Sequence, residues 1–173
     1  NANVKIVGVG YGLTYGQLGP THHSIEDIAL MRTLPGITIF APGDPMETRL
    51  VTEMAARMKG PSYIRIGKKG EPPVHVKKPK IIFGKGVLVR RGKQIALLAT
   101  GNMLKTAVDV AATLEQKKKS VGVVSFPTIK PLDRALVKNI GKTFPAVFTL
   151  EEHSIIGGLG SAVAEFLMEE GSR

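Results

Sequence analysis

Short apolar runs alternate with helical-period segments along most of the chain. Lys5 to Val9, Ile37 to Ala41 and Ser62 to Ile66 are compact, β-branched-rich runs of the kind that form buried strands. Between the first two, Ser24 is placed to cap a helix with Asp27 at the capping-box position. That helix turns Ile25, Ile28, Ala29 and Met31 inward and stops before Pro35-Gly36. Asp44-Pro45-Met46-Glu47 is a full helix-start signal, with an N-cap, a proline at the first helical position and a glutamate at the third. Leu50, Val51, Met54, Ala55 and Met58 then recur at helical spacing up to Gly60-Pro61 and read as core packing.

Residues 67–86 carry glycine, proline and lysine without sustained periodicity and read as a connector. A second unit follows. Gly86 to Arg90 and Gln94 to Thr100 predict two strands joined by a hairpin-like turn at Arg91-Gly92-Lys93. Asn102 is placed to cap a helix bearing Ala107, Val108, Ala111, Ala112 and Leu114. Val121 to Phe126 and Ala146 to Leu150 predict strands, Asp133 to Ile140 a short helix, and Ala162, Val163, Phe166 and Leu167 the apolar face of a last helix. This alternation implies an α/β fold with mainly parallel sheets. The first unit has few strands and reads as truncated. The expected division is residues 1–66, a linker at 67–86, and a second domain at 87–173.

Composition narrows the class. An apolar fraction of 43% supports a real core, no apolar run is long enough to span a bilayer, and no signal-peptide pattern is visible. The absence of cysteine removes disulfides and thiolate metal sites and fits a cytoplasmic protein. The formal net charge is +10, and residues 67–93 hold nine lysines and arginines against one acidic residue. Prolines break this segment and Phe83 is its one aromatic, which argues against nucleic-acid binding and for a solvated linker with a phosphate contact or two.

Four segments are candidates for chemistry. Gly16 to His23 places adjacent imidazoles, His22 and His23, after a loop shaped by Gly16, Gly19 and Pro20, where a histidine can exchange protons near neutrality. Gly157-Gly158-Leu159-Gly160 could cradle a phosphate at a helix start but matches no nucleotide fingerprint. Close packing of helix on sheet is the expected role. Glu151-Glu152-His153 sits at a strand's C-terminal end and is expected to make a domain contact, while His75 is expected to be exposed.

Gly19-Pro20-Thr21-His22, Ile25 to Ala29, Met31-Arg32, Ala41 to Pro45 and Glu47 together resemble the pyrimidine-binding domain of the transketolase family. Pro127 to Asp133 and Glu151 to Gly160 resemble that family's C-terminal domain, in collinear order. The resemblance implies a truncated parallel-sheet pyrimidine-binding domain followed by a mainly parallel transketolase C-terminal domain. It implies a thiamine diphosphate and magnesium enzyme that transfers two-carbon ketol units between sugar phosphates. His22 takes the place of the family's active-site histidine. Lys68 falls where an arginine usually binds the sugar phosphate, Arg65 lies three residues earlier, and His23 stands where glutamine is common, so all three are candidate substrate-binding residues.

Two departures point to split or atypical relatives. Leu18 replaces an acidic residue that contacts sugar hydroxyls, and Gly10-Tyr11 stands where a phosphate-binding histidine is usual. The cofactor-protonating glutamate and the diphosphate-and-magnesium half lie upstream or on another subunit in the family. The cofactor-binding residues of this chain are therefore unassigned, and the chain is expected to be a C-terminal fragment or a subunit of such an enzyme, inactive alone and acting in a homodimer or heteromer. Rival readings are a deoxyxylulose-phosphate synthase, a 2-oxo acid dehydrogenase β subunit, or a non-catalytic docking or anion-binding module.

Overall fold

Two four-stranded sheets share the chain, and one strand of the second half belongs to the first sheet. The structure, a computed structural model, describes residues 2–68 and 70–171; Lys69 of the basic segment lies outside it. Strands β1 (Lys5–Val9), β2 (Thr38–Phe40) and β3 (Ser62–Ile66) are parallel, with β3 between the other two. Strand β7 (Thr128–Lys130) pairs antiparallel with β2, giving the order β1-β3-β2-β7.

Helices α1 (Asp27–Thr33) and α2 (Pro45–Arg57) cover opposite faces of this sheet. Successive strand residues point to opposite faces. Ile39 and Tyr63 accordingly pack with Ile28 of α1, while Phe40 and Ile64 pack with Val51 and Ala55 of α2. The α2 start forms as its sequence dictates, with Asp44 Oδ1 accepting from Glu47 N at 2.8 Å. The α1 start does not. Its N-cap is Glu26, and Ser24 instead forms a β-bridge with Gly12. Asp27, expected to serve the helix start, is drawn into the interior by Arg65 and Tyr63.

The second sheet comprises β4 (Val87–Arg90), β5 (Ile95–Ala99), β6 (Val121–Ser125) and β8 (Ala146–Leu150) in the order β4-β6-β5-β8. Strands β5, β6 and β8 are parallel, and β4 runs antiparallel to β6. The expected β4–β5 hairpin is therefore not formed, because β6 lies between the two. β5 is buried from Ala96 to Ala99 and takes a parallel partner on each edge. The turn at Gly92 folds so tightly over β6 that a Cβ there would lie 2.0 Å from Gly122 N.

Helix α3 (Met103–Gln116) packs Leu104, Ala107 and Ala111 on one face of this sheet. Helices α4 (Arg134–Thr143) and α5 (Leu159–Glu169) pack Val137, Ile140, Val163 and Phe166 on the other. Asn102 sits at the α3 N-cap, but its side chain makes no capping bond. Among the described residues no helix is long and apolar enough to cross a membrane.

The connector is strand-free but pinned. Asp44 Oδ2 accepts from Val74 N at 3.0 Å and from His75 N at 2.9 Å. The His75 side chain, expected in solvent, is only 9% exposed and bonds Glu47 through Nε2 at 2.9 Å. Glu47 is available because its other carboxylate oxygen reaches Gly43 N and Ser125 Oγ.

Candidate active site

The carboxyl ends of β1 and β3 carry the site's foundation. Beyond β1, Tyr11 is buried, and its Oη accepts from Asn102 N at 2.5 Å, tying the first unit to the start of α3. Burial pushes the Tyr11 phenol up to about 12, against the opposing Asn102 hydrogen bond and the Arg65 charge. A deprotonation role for it near neutrality is thereby removed.

Arg65 is fully buried. Its Nε donates to Asp27 Oδ2 at 2.7 Å, and its Nη2 donates to the carbonyls of Ser24 at 3.2 Å and Glu152 at 2.7 Å. Asp27 Oδ2 also accepts from Tyr63 Oη at 2.7 Å, and burial together with that carboxylate pushes the Tyr63 phenol up. Arg65, expected as a substrate contact, lies in the interior with Asp27 and two backbone carbonyls as its partners. A central strand directs its side chain inward, where it holds the two halves together.

Glu151, Glu152 and His153 line this seam. Glu152 Oε2 accepts from Leu13 N at 3.1 Å. His153 Nε2 lies 3.3 Å from Ala29 N, and its Nδ1 lies 2.8 Å from Ser154 O. An amide can only donate and a carbonyl only accept, so this set requires the Nδ1–H tautomer. Glu151 accepts from Leu159 N at 2.6 Å and Gly160 N at 2.8 Å. The glycine-rich helix start is thus occupied by the chain's own carboxylate.

Above this base the histidine loop is open to solvent. It consists of two 3-10 turns, Gly16–Leu18 and Pro20–His22, joined at Gly19 with φ 76° and ψ −173°, a conformation that requires glycine. The His22 ring is exposed. Its Nδ1 pairs with Thr21 Oγ1 at 3.0 Å, and its Nε2 makes no hydrogen bond among the described residues. His23 is half-buried, and its Nε2 is enclosed without a hydrogen-bond partner among the described residues.

Tyr15 meets His22 edge-on, with ring centroids 6.4 Å apart. The Lys68 Nζ lies 5.0 Å from the centroid of the same Tyr15 ring. The structure therefore brings Lys68, from beyond β3, to the loop that carries His22. Tyr15 escaped the sequence reading because a single aromatic among glycines carries no periodicity, and Tyr11 entered it only as a residue standing where a histidine is usual. A cavity of about 300 Å³ opens nearby, lined in part by Tyr11, Asp44, Arg49, Gly67 and Glu71. No group of three or more acidic, histidine or cysteine side chains able to hold a metal ion occurs among the described residues.

The family model for the transketolase pyrimidine-binding domain matches residues 1–72, and that for the transketolase C-terminal domain matches residues 84–173. The chain belongs to the transketolase family. Over 172 residues it is 41% identical to the B subunit of the apulose-4-phosphate transketolase of Actinobacillus succinogenes, covering 99% of this chain and 55% of that protein. It is 37% identical over 155 residues to 1-deoxy-D-xylulose-5-phosphate synthase of Chlorobium luteolum, covering 88% of this chain and 24% of that protein. A solved structure described as a split gene transketolase, inactive β4 tetramer, superposes with a TM-score of 0.87 at 41% identity, covering 96% of this chain and 54% of that one. The chain thus spans about half the length of the first of these relatives and of the solved structure.

Proposed function

We propose that this chain contributes the substrate-facing half of a thiamine-diphosphate site in a two-subunit transketolase-like enzyme, which moves ketol units between sugar phosphates. The observation that carries this reading is the exposed His22 ring, with Nε2 unengaged, on a glycine–proline loop beside Lys68. The similarity to the B subunit of a transketolase supports a heteromer.

The residues present fit one side of the cofactor only. His22 and the half-buried His23, whose Nε2 lacks a partner, would face the reacting end of the group. The diphosphate and Mg²⁺ are assigned to a part of the enzyme outside these residues, upstream in the same polypeptide or on a partner subunit. When bound, thiamine diphosphate would supply carbanion stabilisation. This chain's own contribution is proton exchange at His22 Nε2 and orientation of the substrate. Lys68 would hold the substrate's anionic end as a point charge, and it lacks the bidentate fork of an arginine. His23 would donate to or accept from a substrate oxygen.

The test is ketol transfer by the chain reconstituted with its diphosphate-binding partner. His22→Ala is expected to lower turnover by about 10²-fold or more, and Lys68→Ala to raise KM for the phosphorylated substrate. Unchanged turnover in His22→Ala would sink the reading. Pyruvate consumption in place of ketol transfer would favour the synthase, which the similarity to the deoxyxylulose-phosphate synthase makes the second reading.

A further inference from the structure

Tyr15 is the contact shared by the two side chains assigned to the reaction, and neither the fold nor the cofactor accounts for it. Its ring lies against the backbone of Gly10, where a Cβ would stand 1.9 Å from Tyr15 Cε2. Gly10 itself has φ +80°, so glycine is required there both for its backbone conformation and for the space the ring occupies. One edge contact joins Tyr15 to His22, and the Lys68 ammonium lies over its face. The Tyr15 hydroxyl makes no hydrogen bond among the described residues, so the aromatic ring makes the contacts.

We infer that Tyr15 is a positioning and specificity-determining residue: its ring sets the distance between the acid–base imidazole of His22 and the anion-holding ammonium of Lys68. This rests on the roles proposed above for those two residues. Edge-to-face contact orients an imidazole, and a quadrupole face holds an ammonium without neutralising it, so Lys68 keeps its charge for a ligand. Because both groups touch one ring, their separation is bounded by the two contacts together. Removing the ring leaves both functional groups present but their separation unset.

The experiment uses the reconstituted two-subunit enzyme with an aldose 5-phosphate and the same aldose lacking the phosphate. Tyr15→Phe is expected to match wild type. Tyr15→Leu keeps apolar bulk but has no π face. It is expected to raise KM for the phosphorylated aldose about two- to fivefold, as loss of an exposed cation–π contact implies, and to leave KM for the unphosphorylated aldose unchanged. That split between the two substrates is the readout a purely structural role would not produce. Kinetics of Tyr15→Leu equal to wild type would overturn the inference, as would Tyr15→Phe damaged as much as Tyr15→Leu. If His22→Ala and Lys68→Ala themselves leave turnover and KM intact, the underlying site assignment fails. If those two variants lose function while Tyr15→Leu does not, the role of Tyr15 alone fails.

Discussion

The Arg65 guanidinium lies 3.9 Å from the centroid of the Tyr11 ring. It reaches Asp27, Ser24 and Glu152 from one fully buried position. Charge, aromatic face and two backbone carbonyls from opposite halves of the chain thus converge on a single side chain.

Loss of that side chain leaves Asp27 charged and largely enclosed. Arg65→Met is expected to lower the unfolding free energy by about 3–5 kcal/mol, measured by urea denaturation. Arg65→Lys should recover little, since an ammonium cannot reproduce the planar, multi-donor geometry. Lys68→Ala, at an exposed position, should change stability by less than about 0.5 kcal/mol while altering substrate affinity.

His75 gives the connector a pH dependence. Its hydrogen bond to Glu47 raises its pKa above the ordinary 6.5, burial opposes this, and the charges of Glu47 and Asp44 add to the rise. A raised value means that the folded state binds the proton more tightly than the unfolded chain. The resulting stabilisation is complete below about 6.5 and is lost as pH rises through the elevated value. Tm measured across this range should fall with rising pH, and His75→Gln should flatten that slope. An unaltered slope in the variant would assign the effect elsewhere.

Glu151 accepts two amides at the start of α5. Glu151→Ala should cost about 1 kcal/mol, the usual loss on removing a helix-capping side chain. Calorimetry is the check. The same variant should gain weak affinity for inorganic phosphate at the amides so released.

Gly19→Ala separates loop geometry from packing. A Cβ there meets nothing within 4 Å, so the penalty is conformational, about 1–3 kcal/mol for a residue held in this glycine-only region. The loop would relax and carry His22 away from Tyr15. Turnover of the reconstituted enzyme should drop more steeply than global Tm, and equal losses would argue against the loop's role in orientation.

Local patterns announced what they controlled locally. The Asp44-Pro45-Met46-Glu47 start and the apolar stripe behind it were legible because caps and periodicity act within a few residues. Strand β3 was legible to the residue as a short apolar run. Strand β7 was not, because three residues between Pro127 and Pro131 carry no period, and its partner β2 lies far away in sequence. The Arg91-Gly92-Lys93 turn looked like a hairpin because turn chemistry does not reveal which strand inserts alongside. In the candidate site, the His22 loop and Lys68 were visible as residue types at family positions. The contact of each with Tyr15 was not. The exposure of His75 was misjudged, and the burial of Arg65 not foreseen, for one reason: a polar side chain's burial depends on partners that only the folded chain supplies.

The crossing of β7 into the first sheet has a practical corollary. A protease nick in residues 67–86 would separate the two halves covalently, yet residues 128–130 would keep them clasped by backbone hydrogen bonds to β2. Nicked material should therefore co-elute as one particle. An expression boundary drawn at the connector would strip the first sheet of an edge strand and leave Phe40 and Ile39 bordering on water.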